Sequence, residues 1–515
     1  MNSPGSVMSN PSALTFYPAA RPPIAILGVP FDNVTKAEAV SLVERMIASG
    51  RPHYLVTPNV DFLVQARRDV ELRRILFEAH LVLCDGTPLV WASRLLGNPL
   101  PERVAGADVV PLLIQVAARK GYRLFLLGAT PEVAQRAVTR LQTQYPTLII
   151  AGHYSPPFNQ LLEMDHDEIK RRVREAKPDL LLVSFGCPKQ EKWVAMHYRS
   201  LAVPVTAGVG ATIDFLAGQV KRAPVWMQRS GTEWIFRFAQ EPRRLFRRYI
   251  TDLWVFGTSI LPQWWQLRLR TRGKSSHGTS APSDLQPAIA TADDCCRVNL
   301  SGRLDCSTVG GYASLQEKLV ACGKHCVLEM HSTPFIDSTG VGFLIRLHKS
   351  LRVQGLKLIL MSPSSVVLRA LALMRLNHFF HIALDAETLG RQLQDSPDQP
   401  SVGESLPGIP TPVLRWRGEV TAANAESVWD YTRNYIAEPV SGGEKIINLS
   451  EVRFIDSTGL GLMIRAKKMS LLREKTLVFV GLQPPVRNVL RLSRVEDFLL
   501  DGRPASRGSV LSIRP

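Results

Sequence analysis

A string of eight residues occurs twice in the second half of this chain and constrains its architecture more than any other feature. Residues 335–342 read Phe-Ile-Asp-Ser-Thr-Gly-Val-Gly, and residues 454–461 read Phe-Ile-Asp-Ser-Thr-Gly-Leu-Gly. The strings start about 119 residues apart, a domain-sized spacing that is too long for one solenoid unit. The sequence therefore predicts two copies of one module. Because 515 residues give room for about three domains, the first half is expected to form an unrelated domain.

Short apolar runs alternate with amphipathic stretches over residues 24–224. The runs predict buried strands and the amphipathic stretches predict helices, a pattern typical of an α/β domain with a mainly parallel sheet. The predicted strands begin near His53, Leu81, Arg123, Leu148, Asp179 and Val203, and predicted helices cover residues 36–49, 132–144 and 167–177.

The residues that follow these predicted strands are polar and rich in glycine. They are residues 57–61, 85–86, 128–130, 186–191 and 208–214. Ligands of a parallel sheet bind beyond the carboxyl ends of its strands, and small residues with exposed main-chain amides can hold a diphosphate there. Taken singly, each motif is equally explained by a tight turn or a loop.

Positive charge is concentrated in one segment. The chain has a formal net charge of +17, and residues 221–274 contain twelve Lys or Arg, three acidic residues and five tryptophans. Arginines interleaved with tryptophans suit an anionic membrane surface. Nucleic acid is the competing partner, but no groove-reading motif accompanies the charge, so no nucleic acid is expected. A solvated helical face is the simpler alternative.

Other features favour a cytoplasmic protein. The first residues lack the basic start and apolar core of a signal peptide, and seven scattered cysteines fit a reducing compartment. The apolar stretch at residues 249–265 is interrupted by Asp252, Gly257 and Pro262 and is shorter than the ~20 residues that cross a bilayer. We therefore expect peripheral association with the inner face of the cell membrane at most.

Composition divides the chain into seven segments. The predicted segments are a disordered lead-in (1–23), a first domain (24–272) with a basic appendage (221–272), a linker (273–294), the first repeat (295–393), a second linker (394–412), the second repeat (413–502) and a tail (503–515).

Motifs of the first half resemble those of the WecG/TagA/CpsF glycosyltransferases and occur in the family's order. They are Thr57-Pro-Asn59, Leu83-Cys-Asp85-Gly86, Glu102-Arg-Val-Ala-Gly-Ala-Asp108, Phe185-Gly-Cys-Pro-Lys-Gln-Glu191, Gly208-Val-Gly-Ala-Thr-Ile-Asp-Phe-Leu-Ala-Gly218, Arg222-Ala-Pro224, Glu233-Trp-Ile-Phe-Arg237 and Glu241-Pro-Arg-Arg-Leu-Phe-Arg-Arg-Tyr249. The resemblance implies a Rossmann-like domain that moves a sugar from a UDP donor, with inversion, onto a polyprenyl-diphosphate-linked acceptor. ManNAc, ManNAc-uronic acid or a related hexose is the implied sugar, and bacterial cell-surface or exopolysaccharide synthesis is the implied pathway.

The resemblance also assigns catalytic roles. An inverting displacement requires a carboxylate that takes the proton of the acceptor hydroxyl, and Asp85 matches the family's proposed base. Thr57 and Asn59 would orient the acceptor or the donor diphosphate. Arg103 would hold sugar or phosphate through its fork of donors.

The resemblance assigns binding of the departing UDP to the basic appendage. Metal-independent catalysis without a cofactor is expected, so fixed cations must stabilise the leaving charge. Arg237, Arg244 and Arg247 match positions thought to fold over the active site and contact the diphosphate. Gln190 and Asp214 match positions near the donor nucleotide, although a helix cap or loop hydrogen bond also explains them. Pro156-Pro157 replaces the expected Gly-Tyr near the nucleotide base, which leaves the donor open.

Each repeat resembles the STAS domain, the small α/β fold of anti-sigma factor antagonists. In that family the serine after the aspartate can be phosphorylated by a partner kinase, which corresponds to Ser338 and Ser457 here. A phosphate of about −2 charge would alter a docking face. The same residues are also explained as a helix start, with Asp337 and Asp456 or the serines that follow them as caps.

The two halves together predict a glycosyltransferase that its STAS domains regulate or connect to partners such as an anti-sigma factor or a serine kinase. The alternative is a partner-switching signalling protein whose first domain senses a nucleotide-sugar without turnover. The residues Asp85, Thr57, Asn59 and Arg103 favour the enzyme.

Overall fold

The fold is given by a computed structural model. It describes residues 21–220, 223–224, 226–227, 232–240, 242–271, 287–292, 294–394, 400–403, 412–438, 444–473 and 475–500.

The first domain is built on a six-stranded parallel sheet with the strand order β4-β3-β8-β7-β5-β6. A two-stranded antiparallel hairpin, β1–β2, precedes it. The parallel sheet confirms the predicted fold class, and each predicted strand is present. The strands are β1 (Ile24–Ile26), β2 (Val29–Phe31), β3 (His53–Val56), β4 (Leu81–Val82), β5 (Arg123–Gly128), β6 (Ile149–Tyr154), β7 (Leu180–Ser184) and β8 (Val205–Gly208).

Helices cover both faces of this sheet, because its central strands are apolar on both sides. Buried residues of α2, α3, α4, α7 and α8 form the core on one face, and those of α1, α5, α6 and α9 form the core on the other. The helices are α1 (Lys36–Ala48), α2 (Val60–Ala66), α3 (Val70–Glu78), α4 (Thr87–Leu95), α5 (Gly106–Lys120), α6 (Pro131–Gln144), α7 (His166–Ala176), α8 (Lys189–Leu201) and α9 (Thr212–Leu216).

The basic appendage contains two helices, α10 (Glu233–Gln240) and α11 (Pro242–Thr271). Helix α11 continues through Gly257 and Pro262, where the sequence predicts an interruption of the apolar stretch. Phe256 and Ile260 are buried in the core that α2 helps to form. Tertiary packing of one face therefore holds together a helix that local propensity disfavours.

Copy 1 (residues 287–394) is a five-stranded sheet with helices packed against it, in the order β13-β12-β11-β10-β9. All neighbours are parallel except β9, which is antiparallel to β10. The strands are β9 (Ile289–Thr291), β10 (Cys295–Asn299), β11 (His325–Glu329), β12 (Leu358–Met361) and β13 (His381–Ala383), and the helices are α12 (Ala313–Ala321), α13 (Ser338–Val353), α14 (Ser365–Leu373) and α15 (Ala386–Gln394).

Copy 2 (residues 400–500) repeats this arrangement with four strands in the order β14-β15-β16-β17. Its edge strand β14 is also antiparallel to its neighbour. Both edge strands, β9 and β14, lie inside segments predicted as linkers. The strands are β14 (Ser401–Gly403), β15 (Val413–Val420), β16 (Glu444–Ile455) and β17 (Thr476–Val480), and the helices are α16 (Ala425–Ala437), α17 (Ser457–Leu472), α18 (Pro484–Leu492) and α19 (Glu496–Leu500).

The three domains meet around α3 of the first domain. Arg74 is salt-bridged to Glu78 on the same helix and to Glu419 of copy 2, the latter at 2.7 Å. Arg352 of copy 1 also pairs with Glu78. Phe77 is buried within the core of copy 1. Since these side chains are largely removed from water, the charge pairs depend on one another, and loss of one partner would leave a buried charge.

Candidate active site

The carboxyl ends of β3 and β4 bring together the residues expected to act on the acceptor. The main-chain N–H of Asp85 donates to the carbonyl of Pro58 at 3.1 Å, which ties the two loops side by side. Asp85 and Thr57 are both half-buried. A carboxylate at this edge is thus held in place while part of its surface remains open to a substrate.

Asn59 begins α2 and lies beside the Asp85 loop. Its Oδ1 accepts a hydrogen bond from the N–H of Phe62 at 3.3 Å, so the side chain caps the helix. A Cβ on Gly86 would lie 4.0 Å from the Cβ of Asn59. The capping bond fixes the orientation of the Asn59 side-chain amide. The N–H₂ group of this amide is then able to donate a hydrogen bond to a ligand.

Thr57 lies against the start of α5. A Cβ on Gly106 would be 3.3 Å from the Thr57 hydroxyl and 3.7 Å from that of Thr212, so glycine permits this close approach. Within the described residues, α4 and α5 start without a side-chain cap. Their first N–H groups and positive dipole ends provide the kind of environment in which proteins bind phosphate groups.

Arg103 joins the site to the appendage. Its guanidinium contacts Asp108 at 3.0 Å and Glu233 of α10 at 2.6 Å. Burial acts to lower the pKa of Arg103, but the carboxylates of Glu233, Asp108 and Asp85 outweigh it and raise this pKa. The fork that the resemblance assigns to sugar or phosphate is therefore engaged by two carboxylates, and its contact with substrate stays a prediction.

Gln190 connects two loops at the same edge of the sheet. Its Oε1 accepts from the N–H groups of Gly186 and Gly210, both at 3.2 Å, and its Nε2 donates to Glu191 at 2.7 Å. The side chain is buried. These bonds match the loop-bond alternative of the sequence analysis, and a direct contact with the nucleotide stays a prediction.

Two carboxyl groups near this loop have raised pKa values. Burial raises the pKa of Glu191 to about 7, despite hydrogen bonds from Gln190 and its own main chain that oppose the shift. Burial also raises the pKa of Asp214, in the first turn of α9. Glu191 closes a motif visible in the sequence, but only the fold shows that this acid is buried.

For Arg237, Arg244 and Arg247 of the basic appendage, the structure describes the main chain alone. Arg237 lies in α10 one turn after Glu233, which is paired with Arg103. Arg244 and Arg247 lie in the first turns of α11. Their side chains lie outside the described residues, so their proposed contact with the diphosphate stays a prediction. In the described ranges no three His, Cys, Asp or Glu side chains are grouped to hold a metal ion, and metal independence is likewise a prediction.

Both serines of the repeated string are buried where their copy contacts the first domain. Ser338 has no exposed surface, and its hydroxyl accepts a hydrogen bond at 2.8 Å from Gln263 of α11. Ser457 is 3% exposed, and its main-chain N–H donates to the carboxylate of Glu71 in α3. In this arrangement neither hydroxyl is open to a kinase. Phosphorylation of either serine would require its copy to move away from the first domain.

The capping interpretation of the repeated string is visible in both copies. Asp337 accepts from the N–H groups of Thr339 and Gly340 at 2.7 and 2.9 Å. Asp456 does the same for the corresponding residues of copy 2, at 2.8 and 2.9 Å. The aspartates therefore cap α13 and α17 in the same geometry.

Comparisons with known proteins assign each part of the chain. Residues 24–270 match the glycosyl transferase WecG/TagA/CpsF family, and residues 286–389 and 404–506 each match the STAS domain. Two relatives from Staphylococcus aureus, strains MW2 and MRSA252, are each 31% identical over 226 residues, which cover 44% of this chain and 87% of the relative. Both are named N-acetylglucosaminyldiphosphoundecaprenol N-acetyl-beta-D-mannosaminyltransferase.

A solved structure from Thermotoga maritima, described as an anti-sigma factor antagonist, is 19% identical to this chain. The match covers 21% of this chain and 94% of that one with a TM-score of 0.19, which is too low for a comparison of folds. The assignment therefore rests on the sequence matches and on the sheet topology described above. The chain belongs to the WecG/TagA/CpsF family of glycosyl transferases and carries two STAS domains after its transferase domain.

Proposed function

We propose that this chain transfers a sugar from a UDP donor, with inversion, to a polyprenyl-diphosphate-linked acceptor at the inner face of the cell membrane. ManNAc, ManNAc-uronic acid or a related hexose is the proposed sugar. The observation that carries the proposal is the grouping of Thr57, Asn59 and Asp85 at the carboxyl edge of the sheet. This grouping occurs in a domain 31% identical to transferases that are named for a diphosphoundecaprenol acceptor.

In the proposed reaction, Asp85 accepts the proton of the acceptor hydroxyl as that oxygen attacks the anomeric carbon of the donor. The bond between this carbon and the UDP oxygen breaks, and UDP leaves with the bonding electrons. The N-terminal amides of α4 and α5 lie beside this edge and are suited to the charge that develops on the diphosphate. Cations of the appendage are proposed to add to this stabilisation.

The surface of α11 supports a site of action at a membrane. One stripe of this helix, which includes Phe256, Ile260 and Gln263, is buried against the protein. The other stripe is apolar and exposed, with Trp254 having 72% of its surface accessible. A helix of this kind, flanked by basic residues, binds in the plane of a lipid interface. The exposed stripe consists of Phe246, Ile250, Leu253, Trp254, Leu261 and Trp265.

None of the described helices is both long enough and apolar enough to cross a membrane. An interfacial position of α11 therefore fits the appendage better than a span. In that position the helix would keep its basic start near the headgroups that carry the acceptor diphosphate.

Gln263 supports the proposal that copy 1 regulates the enzyme. Its side chain accepts from the N–H of Leu27 at 3.1 Å and donates to the carbonyl of Ala25 at 3.0 Å and to Ser338 at 2.8 Å. One amide thus links the β1–β2 turn, helix α11 and the serine of copy 1. A phosphate on Ser338 would displace this amide, and we propose that a partner kinase or anti-sigma factor acts on the transferase through this link.

The test of the enzyme measures UDP release from a panel of UDP-sugars with a synthetic polyprenyl-diphosphate-GlcNAc acceptor in anionic vesicles. One donor is expected to give acceptor-dependent release. Asp85→Asn should lower turnover at least about 100-fold, because a general base contributes 10²–10⁴-fold, while donor binding is kept. The matched control is Asp167→Asn, the same change on the exposed surface of α7. Donor binding without turnover in the unmodified chain would contradict the proposal and favour the sensor.

A further inference from the structure

A groove on copy 2 is open in the described structure. It encloses about 500 Å³ between α17, α16 and Leu162 of the first domain. Its apolar lining includes Gly461, Ile464 and Leu472, and two cations, Arg465 and Lys468, also line it. Leu472 is 87% exposed, and a Cβ on Gly461 would meet no described atom within 4 Å.

The corresponding face of copy 1 is covered by the first domain. The repeated strings align α13 with α17, so that Gly342, Arg346 and Lys349 occupy the helix positions of Gly461, Arg465 and Lys468. A Cβ on Gly342 would lie 2.3 Å from the carbonyl oxygen of Pro23. The same helix face is thus closed in one copy and open in the other.

Copy 1 shows what this helix face binds. Arg346 donates to the main-chain carbonyl of Arg21 at 3.0 Å, and Lys349 donates to that of Ala79 at 2.7 Å. The glycine lets the chain at Pro23 approach the helix backbone directly. The segment that leads into β1 therefore contributes a main-chain carbonyl, a proline and an apolar strand. Ala79 belongs to a second segment at the end of α3, where Lys349 also faces the carboxylates of Asp32 and Glu78.

Copy 2 retains each of these determinants and adds an aromatic one. The glycine, the arginine and the lysine are all present at equivalent positions. The guanidinium of Arg465 lies 4.0 Å from the centre of the Trp429 ring, a stacking that holds the cation over the groove. Extended, proline-containing segments are suited to such a surface because they lose little entropy on binding.

We propose that the groove of copy 2 binds an extended, proline-containing apolar segment of a partner protein. Arg465, like Arg346 in copy 1, donates a hydrogen bond to a main-chain carbonyl of this segment, and Gly461 receives its closest approach. The inference is independent of the transferase reaction, because the groove shares no residue with the active site. Copy 1 would thus bind such a segment within the chain, and copy 2 would bind one from outside.

The probe is a fluorescent peptide with the sequence Arg-Pro-Pro-Ile-Ala-Ile-Leu, which is that of residues 21–27. Its binding to the full chain is measured by fluorescence anisotropy. The unmodified chain should bind it saturably, and Gly461→Leu, which fills the groove, should weaken binding at least tenfold. Arg465→Ala, which removes the donor equivalent to Arg346, should weaken it to a similar extent. The matched control is Gly390→Leu in α15, another helical glycine whose Cβ would meet no described atom.

Folding of the variants is checked by thermal denaturation. Gly461→Leu should not lower the midpoint temperature, because leucine favours a helix more than glycine does. Equal binding by Gly461→Leu, or equal binding of a scrambled peptide, would overturn the proposal. The same holds if the unmodified chain shows no saturable binding. Sedimentation that shows self-association abolished by Gly461→Leu would also overturn it, because the occupant would then be a second copy of this chain.

Discussion

The two STAS copies share an internal fold and a capped helix start, yet they contact the transferase domain differently. In copy 1 the whole length of α13 packs on the first domain, from Ser338 at Gln263 to Arg352 at Glu78. In copy 2 the contact is centred on the start of α17, where Ser457 donates to Glu71. A duplicated module can therefore serve as a support in one place and leave the same face open in another.

The glycines at equivalent positions test this difference most strongly. Gly342→Leu places a side chain against the carbonyl of Pro23 and should destabilise the folded, docked protein by about 3 kcal/mol, as overpacking does. Gly461→Leu should be neutral or slightly stabilising, because its Cβ has space and the helix gains propensity. Urea unfolding of both variants measures the effect. Equal destabilisation would show that both helix faces are covered.

Replacement of Ser338 or Ser457 by aspartate should have the next largest effect, on the docking of each copy to the first domain. Ser457→Asp adds a carboxylate near that of Glu71, whereas Ser338→Asp meets the N–H₂ group of Gln263, which can donate to it. Both variants bury a charge, but copy 2 should be released more completely because like charges repel. Limited proteolysis between the domains measures release. The alanine variants are the controls, and release of copy 1 before copy 2 would contradict this order.

The smallest expected effect is a pH dependence of the copy 2 contact. Burial and the nearby charge of Glu71 raise the pKa of Asp456 to about 7. Asp456 therefore binds a proton more tightly when copy 2 is docked than when its carboxyl group is exposed to water. Docking should weaken as pH rises from about 4 to about 7 and this proton is lost. Glu71 is itself paired with Lys192 at 2.8 Å, and Asp69 pairs with the same lysine at 2.8 Å. Arg74, Glu78 and Glu419 form a second charged cluster at the same contact, and Tyr54, Tyr198, Arg199 and Arg352 line the cavity between the two clusters.

Hydrogen exchange of the Ser457 amide, expressed as a protection factor at each pH, measures this dependence. Protection should be greater at pH 6 than at pH 8. Glu71→Gln keeps an acceptor for the amide but removes the like charge, so it should reduce the difference. The Thr339 amide in copy 1 is the internal comparison. Burial and the charge of Asp305 in the same copy raise the pKa of Asp337, and the first-domain side chain that contacts Ser338 is the neutral Gln263. A pH dependence unchanged in Glu71→Gln would contradict the role of this carboxylate.

Much of the fold follows from local patterns. The run at residues 123–128 predicts β5 and the amphipathic stretch at 132–144 predicts α6, since a strand and a helix each impose a period on the sequence. Edge strands β9 and β14 have three residues each, which is too short to give such a period. The sequence also does not predict the length of α11. A proline such as Pro262 usually ends a helix, and here the helix continues because its buried face packs against the first domain.

The candidate site divides in the same way. Thr57, Asn59 and Asp85 follow predicted strands, and parallel topology places such residues at one edge. Glu233 belongs to one of the family-like motifs, but its pairing with Arg103 is not predicted from the sequence, because 130 residues separate the two. The burial of Glu191 and its raised pKa are equally invisible in a motif, since they depend on what surrounds the carboxyl group.

The sequence by itself determined the α/β first domain, the duplicated module, the helix starts of α13 and α17 and the positive appendage. These properties depend on residues close together in the chain, or on composition. Tertiary structure alone decided that Ser338 and Ser457 are buried and that, among the described residues, nothing covers one of two equivalent helix faces. Ser457 and Glu71 are 386 residues apart, and a contact over that distance is selected by the packing of whole domains rather than by any local preference.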